Sequence, residues 1–374
     1  MSHHFNTMQN HLDILPKEDW LNKDQKPYYI FGPCSAESPE QTMETAKQIV
    51  AEYPNATYRA GIWKPRTRPN NFEGAGEQGL DWLKSVKQET GLKISTEVAD
   101  AHHVEACLKA GVDVLWVGAR TTVNPFSVQA IADALQGVDI TIFVKNPIVP
   151  DIQLWMGALE RINQAGVKKL GAIHRGFHFH NSEPYRNLPR WEMPLEMMGQ
   201  YTNLPMICDV SHISGNPQLI PSVAQKAMDL NMQGLMVETH ITPEKALSDA
   251  KQQITPSSLK KLIDGLILRS PTADNPEFEN MMEALRQKID EIDRNVLSQF
   301  SNRMNLVREI GVYKKENNVT IFQPSRWEAI LRRSLEDAVN LELSPTFVKG
   351  LYMQIHDESI RQQTEVMNTK AAAK

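Results

Sequence analysis

Tyr28–Ser35 reads YYIFGPCS, a short apolar run that ends in a potential metal-binding side chain, and seven comparable runs follow it. Helical stretches such as Pro39–Glu52 and Val104–Ala110 lie between the runs. Strands that alternate with helices over about 250 residues predict an α/β fold, the (β/α)₈ TIM barrel, whose functional side chains lie where the strands end. The seven further runs are TYRAGIWKPRT (57–67), KISTEV (93–98), VLWVGART (114–121), TIFVKN (141–146), KKLGAIHRG (168–176), MICDVSH (206–212) and GLMVETH (234–240).

The side chains at the ends of these runs are mostly charged or metal-binding. In a barrel they should converge at one mouth. The expected set is Cys34, Arg59, Lys64, Glu97, Arg120, Lys145, Arg175, His212 and Glu238.

The composition is that of a globular protein with room for more than one domain. The chain has 374 residues, 41% of them hydrophobic and 23% charged, and a formal net charge of −5. Nucleic acids and anionic membranes bind basic surfaces, so neither is an expected partner, and any anion site must be local. Three cysteines give no disulfide framework, and the polar N-terminus lacks the apolar core of a signal peptide, which predicts a reducing cytoplasm.

The alternation of strands and helices stops near Leu268. The following RSPTADNPE (269–277) has the proline, serine, asparagine and aspartate content of a linker. We therefore divide the chain into an N-terminal extension (1–27), a barrel (28–267), a linker (268–277) and a helical domain (278–370). The 27 residues before the barrel are too few for a ferredoxin-like regulatory domain, so control of the barrel is expected to lie elsewhere.

The helical domain is predicted to contain three helices. Apolar residues recur at intervals of three and four over 278–314, which indicates one long amphipathic helix. At about 1.5 Å per residue it would span about 55 Å, too long for a small domain to cover alone. Ser325 and Glu328 predict a capping box that opens a second helix, and Ser344 with Pro345 predicts the start of a third. The first helix carries Leu285, Ile289, Ile292, Val296, Phe300, Val307 and Ile310 at these spacings.

Four side chains predict a metal site at the barrel mouth. Cys34 follows strand 1, His212 follows strand 7, Glu238 ends strand 8 and Asp249 lies shortly beyond it. This set of sulfur, nitrogen and oxygen ligands favours a divalent ion such as Mn, Fe, Co or Zn over Mg or Ca, which prefer oxygen ligands alone. Cys107 and Cys208 have no such neighbours and are predicted to be core residues.

A second group at the mouth is cationic. So many positive charges at one mouth are tolerable only if anions bind there, through forked arginine contacts and lysine point charges. Glu97 is the main nearby carboxylate, and it either neutralises this cluster or assists proton transfer. A metal beside a pocket for several anions suggests a Lewis acid that polarises a carbonyl of a phosphorylated substrate. The cations are Arg59, Lys64, Arg66, Arg120, Lys145 and Arg175.

The motifs that carry these residues resemble, over about 28–267, those of the type I 3-deoxy-D-arabino-heptulosonate-7-phosphate (DAHP) synthases. The resemblance implies that a divalent metal-dependent enzyme condenses phosphoenolpyruvate with erythrose 4-phosphate. The motifs are GPCSAES around Cys34, KPRT (64–67), GAR (118–120), Lys145-Asn146, HRG (174–176), DVSH (209–212) and ETH (238–240), which ALSDAKQQI (246–254) follows.

The same resemblance assigns roles to single residues. It makes Cys34, His212, Glu238 and Asp249 the metal ligands. It places Arg59, Lys64 and Lys145 on the phosphoenolpyruvate carboxylate, Arg120 and Arg175 on its phosphate, and Arg66 and Thr67 on the phosphate of erythrose 4-phosphate. Lys64 or a metal-bound water would handle the protons. The chain departs from the family pattern at NPIVP after Lys145 and at RPNNFEG after KPRT, where Arg68 is a second arginine.

Polar and charged residues recur at characteristic places along the helical domain. They are Arg286 in LRQKIDEID, then Arg303, Gly311 and Lys314, then Gln323 and Arg326 in QPSRW, and finally Ser359 and Gln363. With these residues the domain resembles, over about 278–366, the all-helical chorismate mutases. The resemblance implies conversion of chorismate to prephenate, with Lys314 and Gln363 stabilising the ether oxygen. Trp327 departs from the pattern, because some members have a glutamate there.

The spacing of these residues predicts an antiparallel homodimer. Arg286 lies about 42 Å before Lys314 along a straight helix, so a single chain cannot bring both to one small dicarboxylate. A second chain can supply Arg286 to its neighbour's pocket, and it would also cover the apolar stripe of the long helix. We expect a bifunctional enzyme. Because the N-terminal extension is too short for a regulatory domain, we also expect the helical domain to mediate inhibition by prephenate or chorismate. Two alternatives stay open: a helical domain that only dimerises and senses ligands, and a barrel that acts as a related phosphoenolpyruvate-dependent sugar-acid synthase.

Overall fold

The computed structural model describes residues 12–21, 27–64, 71–180, 182–270 and 272–369. The chain forms two compact units, the first ending at Pro271 and the second beginning at Thr272. Among the described residues, no helix is both long enough and apolar enough to cross a bilayer.

The first unit is a closed barrel of eight parallel strands in the order of the sequence, which confirms the predicted fold class. Strand β8 closes it against β1, where Gly234 pairs with Tyr28 and Glu238 with Gly32. The strands are β1 Tyr28–Gly32, β2 Thr57–Arg59, β3 Lys93–Val98, β4 Val114–Val117, β5 Thr141–Lys145, β6 Lys169–His174, β7 Met206–Asp209 and β8 Gly234–Glu238.

Helices surround the barrel, and several of them begin at a side-chain cap. The side chain of Ser38 accepts a hydrogen bond from Gln41 N at the start of α2, and Pro39 takes the first helical position, where no N–H is needed. The helices are α1 Lys17–Trp20, α2 Pro39–Glu52, α3 Gln78–Thr90, α4 Ala101–Ala110, α5 Ala119–Thr122, α6 Pro125–Ala134, α7 Ile152–Gln164, α8 Glu192–Gln200, α9 Val210–Ser214, α10 Ile220–Asp229 and α11 Pro256–Asp264.

Apolar side chains fill the interior of the barrel, so the functional side chains lie at its mouth. A separate, larger core lies between the strands and the surrounding helices. Trp20 of α1 packs against the interior cluster, with its ring 6.1 Å from that of Phe143. The interior cluster consists of Tyr28, Ile30, Val114, Trp116, Phe143, Ile173, Ile207 and Met236.

The second unit consists of the three predicted helices, α12 Pro276–Glu316, α13 Pro324–Asn340 and α14 Pro345–Asn368. The Ser344 side chain caps α14 by accepting from Phe347 N, as predicted. The predicted capping box at Ser325 is wrong: α13 begins with Pro324, after Gln323, and has no side-chain cap. Proline is favoured at the first helical position, so Pro324 sets the start of the helix two residues earlier than predicted.

Much of the apolar stripe on α12 is exposed in the single chain. Leu285, Ile289, Ile292 and Val296 are all exposed, whereas Val307 is buried. The described part of the second unit therefore covers the later half of the long helix better than its earlier half.

Candidate active sites

The four predicted metal ligands come together at the barrel mouth. The Cys34 sulfur and one carboxylate oxygen each of Glu238 and Asp249 lie within 4.8 Å of one another. The Nε2 atom of His212 lies 3.8 Å from a Glu238 oxygen and 3.9 Å from an Asp249 oxygen. Cys34 follows β1, Glu238 ends β8 and His212 lies on α9, directly after β7.

The chemistry of this group suits a divalent metal. Asp209 Oδ1 lies 2.9 Å from Nδ1 of His212, which leaves Nε2 available as the ligand atom. Burial lowers the pKa of His212, so the imidazole is neutral near pH 7. Burial raises the pKa of the Cys34 thiol to about 12, so a bound metal must displace its proton. The residues present therefore fit the predicted sulfur, nitrogen and oxygen ligand set.

The two deepest cations at the mouth are paired with protein carboxylates. Arg59 is buried and donates through Nη2 to Glu238 at 3.1 Å, and Lys145 Nζ lies 2.7 Å from Asp209 Oδ2. The Trp116 ring lies within 5.6 Å of both cationic groups. The expectation that Glu97 is the main nearby carboxylate is thus wrong. Asp209 and Glu238, at the ends of β7 and β8, fill that role, because they pair directly with the two cations.

Glu97 has a different neighbour. It accepts a hydrogen bond from the Trp116 indole at 3.0 Å. A Cβ at Gly118 would lie 2.1 Å from Glu97 Oε1, so the glycine of GAR leaves room for the carboxylate. Glu97 and Arg59 thus contact the same indole, which links the ends of β2, β3 and β4.

The remaining cations lie nearer the opening. Lys64 Nζ is 3.3 Å from the Cys34 sulfur. Arg175 donates through Nη1 to Asn187 Oδ1 at 2.8 Å, and Arg120 is exposed on α5, just after β4. The predicted aldose-phosphate residues Arg66 and Thr67 lie outside the described residues.

The helical unit brings together some of its predicted site residues. Arg303 donates to Ser359 Oγ at 2.7 Å, and Gln363 is buried one turn after Ser359. Helices α12 and α14 approach closely at Gly311, where the missing side chain leaves room: an added Cβ would lie only 3.3 Å from Gln363 Cγ. Lys314 donates to the carbonyl of Ile321 at 2.5 Å.

The other predicted mutase residues are exposed. Arg286 lies on the early half of α12, and Gln323 and Arg326 lie at the start of α13. Trp327 stacks on His356 with ring centroids 4.0 Å apart, and Phe322 contacts the edge of the same histidine ring. This aromatic cluster borders the Gln323–Arg326 turn.

Two protein families match the two parts of the chain. The model of the DAHP synthetase I family matches residues 15–266, about two thirds of the chain. The chain belongs to the DAHP synthetase I family. The chorismate mutase type II model matches residues 285–364. The chain is thus a bifunctional enzyme of the shikimate pathway, with a DAHP synthase domain and a chorismate mutase domain, as predicted.

The individual relatives include aldolases of two different names. A phospho-2-dehydro-3-deoxyheptonate aldolase of Thermotoga maritima is 30% identical over 234 residues, 63% of this chain and 67% of the relative. A crystal structure of that organism's DAHP synthase matches with a TM-score of 0.57 and 27% identity, covering 69% of this chain and 70% of the other. A 2-dehydro-3-deoxyphosphooctonate aldolase of Polaromonas naphthalenivorans is 28% identical over 71% of this chain and 98% of its own length.

Several residues of the DAHP synthase site were missed in the sequence. Asp209 had a signal, because it precedes His212 in DVSH at the end of β7. Arg186 had none: it lies in the long segment between β6 and α8, and its guanidinium is 3.2 Å from Asp249. Asn187 also follows no periodic pattern. Gln252, which donates to Glu238 at 2.5 Å, lies in the quoted motif ALSDAKQQI but was not singled out.

Proposed function

We propose that the barrel condenses phosphoenolpyruvate with erythrose 4-phosphate to form DAHP and phosphate, and that the helical unit rearranges chorismate to prephenate. The observation that carries the barrel reaction is a mixed metal-ligand group surrounded by cations from different strand ends. The free thiol of Cys34, which this chemistry needs, fits the reducing cytoplasm that we propose as its location.

Cys34, His212, Glu238 and Asp249 would hold the ion, with Mn, Fe, Co and Zn as the candidates. A metal bound there supplies Lewis acidity that polarises the aldehyde of the aldose. Asp209 keeps His212 in the tautomer whose Nε2 can bind the ion. Lys64, whose Nζ lies 3.3 Å from the Cys34 sulfur, is the residue that we assign to hold or move a proton beside the metal.

The cations divide between the anionic groups of the two substrates. Arg59 suits the phosphoenolpyruvate carboxylate, because among the described residues its Nε and Nη1 atoms have no hydrogen-bond partner. We assign Lys64 and Lys145 to the same carboxylate, and Arg120 and Arg175 to the phosphate. Arg66 and Thr67 are proposed to bind the phosphate of the aldose. For Glu97 both proposed roles stay open: it helps to neutralise these cations, or it assists proton transfer.

Metal removal tests the barrel reaction. The full chain should lose condensation after chelation and recover it with Mn or Co, and Cys34→Ala should stay inactive whereas Cys107→Ala recovers. Full activity of a verified metal-free sample would exclude the proposal. A five-carbon aldose phosphate is the comparison substrate, because an eight-carbon acid is the product named for several relatives. Preference for that aldose would favour the octonate reaction instead.

For the helical unit we propose an antiparallel homodimer. Arg303, Lys314, Ser359 and Gln363 lie on the later half of α12 or on α14, whereas Arg286 is about 42 Å from Lys314 along α12. A second copy would deliver its Arg286 to a pocket in which Gln323 and Arg326 come from the pocket's own chain. The same contact would cover the exposed stripe from Leu285 to Val296. Sedimentation should therefore show a dimer.

We also propose that prephenate, bound to the helical unit, inhibits the barrel. Fusion places a pathway metabolite's pocket in the same chain as the synthase, and a coupling of about 1 to 3 kcal/mol is typical of such control. The test compares DAHP formation by the full chain with that by a chain ending at Leu268. Equal sensitivity of both to prephenate would reject control through the helical unit, and insensitivity of both would reject the inhibition itself.

A further inference from the structure

Asp249 reaches the proposed metal site differently from the other three ligands. Cys34, His212 and Glu238 lie on or directly after strands, whereas Asp249 lies in the loop of residues 239–253. Its backbone has φ 49° and ψ 33°, in the left-handed region. A residue with a side chain keeps that conformation only when its surroundings hold it there. The position of this ligand therefore depends on what fixes the 239–253 loop.

The loop is tied to the segment that follows β1. Gln253 accepts a hydrogen bond from Cys34 N at 2.9 Å and donates to Ser248 O at 2.8 Å. The hydroxyl groups of Ser35 and Ser248 also bond to each other. These groups are buried, so the contacts replace bonds to water and keep the two backbones in register.

The Glu37 side chain contacts the same loop at two points. Its Oε1 atom accepts the backbone N–H of Leu247 at 2.9 Å, two residues before Asp249. Its Oε2 atom lies 3.6 Å from His240 Nε2, near the start of the loop. The Glu37 side chain is only 8% exposed, whereas Leu247 is 56% exposed. The carboxylate, more than the packing of Leu247, therefore fixes the backbone before Asp249.

We propose that Glu37 is a positioning residue that holds the 239–253 loop in the conformation in which Asp249 reaches the metal. Glu37 itself stands outside the group of ligand atoms and acts through the loop. A carboxylate that accepts a backbone N–H forms a charge-assisted bond, about twice as strong as a neutral one. A glutamine there keeps the acceptor oxygen, and an alanine removes it. The inference rests on the metal site proposed above.

The test measures Co²⁺ affinity of the full chain by competition with a chelator, without substrates. We expect Glu37→Ala to weaken Co²⁺ about 10- to 100-fold, in the range of residues that orient metal ligands, and Glu37→Gln to restore most of that loss. Glu40→Ala is the matched control, because Glu40 lies on the first turn of α2 and is exposed, and it should bind as the wild type does. If Glu37→Ala does not fold, Glu37→Asp, which shortens the reach but keeps the charge, should show a smaller loss.

A double variant separates positioning from general loosening. If Glu37 acts through Asp249, Glu37→Ala should cost little further Co²⁺ affinity in an Asp249→Asn background. An equal loss in both backgrounds, or wild-type affinity of Glu37→Ala and Glu37→Asp, would overturn the inference. Failure of the wild type to bind Co²⁺, or unchanged binding by Asp249→Asn, would instead reject the proposed metal site.

Discussion

Replacing Asp209 with asparagine should disable the metal site while nearly conserving the shape of the side chain. Asp209 is buried and lies 2.7 Å from Lys145 Nζ and 2.9 Å from His212 Nδ1. Burial alone would raise the pKa of Asp209, but His212 and Lys145 hold it well below its usual range, so the group is a carboxylate near neutral pH. An asparagine offers only one oxygen to these two neighbours.

The direction of the asparagine decides the outcome. If its oxygen faces Lys145, its NH₂ group donates to His212 Nδ1, and the proton of the imidazole then moves to Nε2, the atom proposed to bind the metal. If its oxygen faces His212, the buried Lys145 ammonium loses its acceptor. We expect metal affinity to fall about 10- to 100-fold. Removing one partner of a buried ion pair costs about 3 kcal/mol, which corresponds to a melting temperature lower by about 6 to 12 °C.

The assay pairs Co²⁺ competition with thermal unfolding of the metal-free chain. Asp113→Asn is the matched control, because Asp113 also pairs with a lysine, Lys87 at 2.6 Å, but both side chains are partly exposed. That variant should lose about 1 kcal/mol or less and bind Co²⁺ normally. An Asp209→Asn chain that binds Co²⁺ as tightly as the wild type would refute the tautomer argument. An unchanged melting temperature would refute the buried ion-pair argument.

Three further outcomes test separate parts of the molecule. Arg175→Ala and Arg120→Ala should raise the KM for phosphoenolpyruvate by about 10- to 150-fold, since hydrogen bonds to charged groups contribute about 1.5 to 3 kcal/mol. Arg66→Ala should instead raise the KM for the aldose phosphate. The opposite pattern in steady-state kinetics would reverse the assignments. His174 is buried among Trp155, Phe177 and Trp191, and burial lowers its pKa to about 3. Below about pH 6.5 the unfolded chain therefore binds a proton at His174 that the folded chain does not bind. The free energy of unfolding should fall from pH 7 to pH 5 by about 2 kcal/mol more in the wild type than in His174→Leu. Equal shifts of the urea midpoint in the two proteins would contradict this. When Arg286→Ala chains are mixed with Arg303→Ala chains and allowed to exchange subunits, about a quarter of the mutase sites should be intact. Half of the dimers then contain one chain of each variant, and each of these dimers has one intact site. A mixture that stays inactive after proven subunit exchange would exclude the shared site.

The strand ends were predictable from the sequence because two independent signals coincide there. An apolar run bounded by turn residues marks the strand, and the polar residue after it must face the mouth. Cys34, Glu238 and Lys145 follow this rule, and the structure places all three at the mouth. Asp249 has no such signal, because its position depends on contacts of the 239–253 loop. The sequence indicated it only by its place shortly beyond strand 8 and by the motif ALSDAKQQI.

The sequence predicted the pairing of charged side chains less well than it predicted the strand ends. The sequence showed many cations but gave no means of choosing their partners, and Glu97 was chosen although Glu238 and Asp209 pair with Arg59 and Lys145. Pairing depends on which side chains meet across the barrel, a separation of 64 residues for Lys145 and Asp209. Arg186 shows the same limit, because its loop has no periodicity that would aim its guanidinium at Asp249.

The two sites differ in how far one chain completes them. In the barrel, closed strand pairing fixes three of the four ligands, and buried hydrogen bonds hold the fourth, so the ligand atoms already lie within a few ångströms of one another. In the helical unit, Arg303, Ser359 and Gln363 meet within the chain, but a straight α12 keeps Arg286 far from Lys314. Apolar side chains are exposed along the half of the helix that carries Arg286. Burying that stripe against a second chain would release the free energy of removing it from water, and the same contact would deliver the missing arginine. Assembly and completion of the mutase site are therefore expected to be one event, whereas the metal ligands of the barrel need no partner to converge.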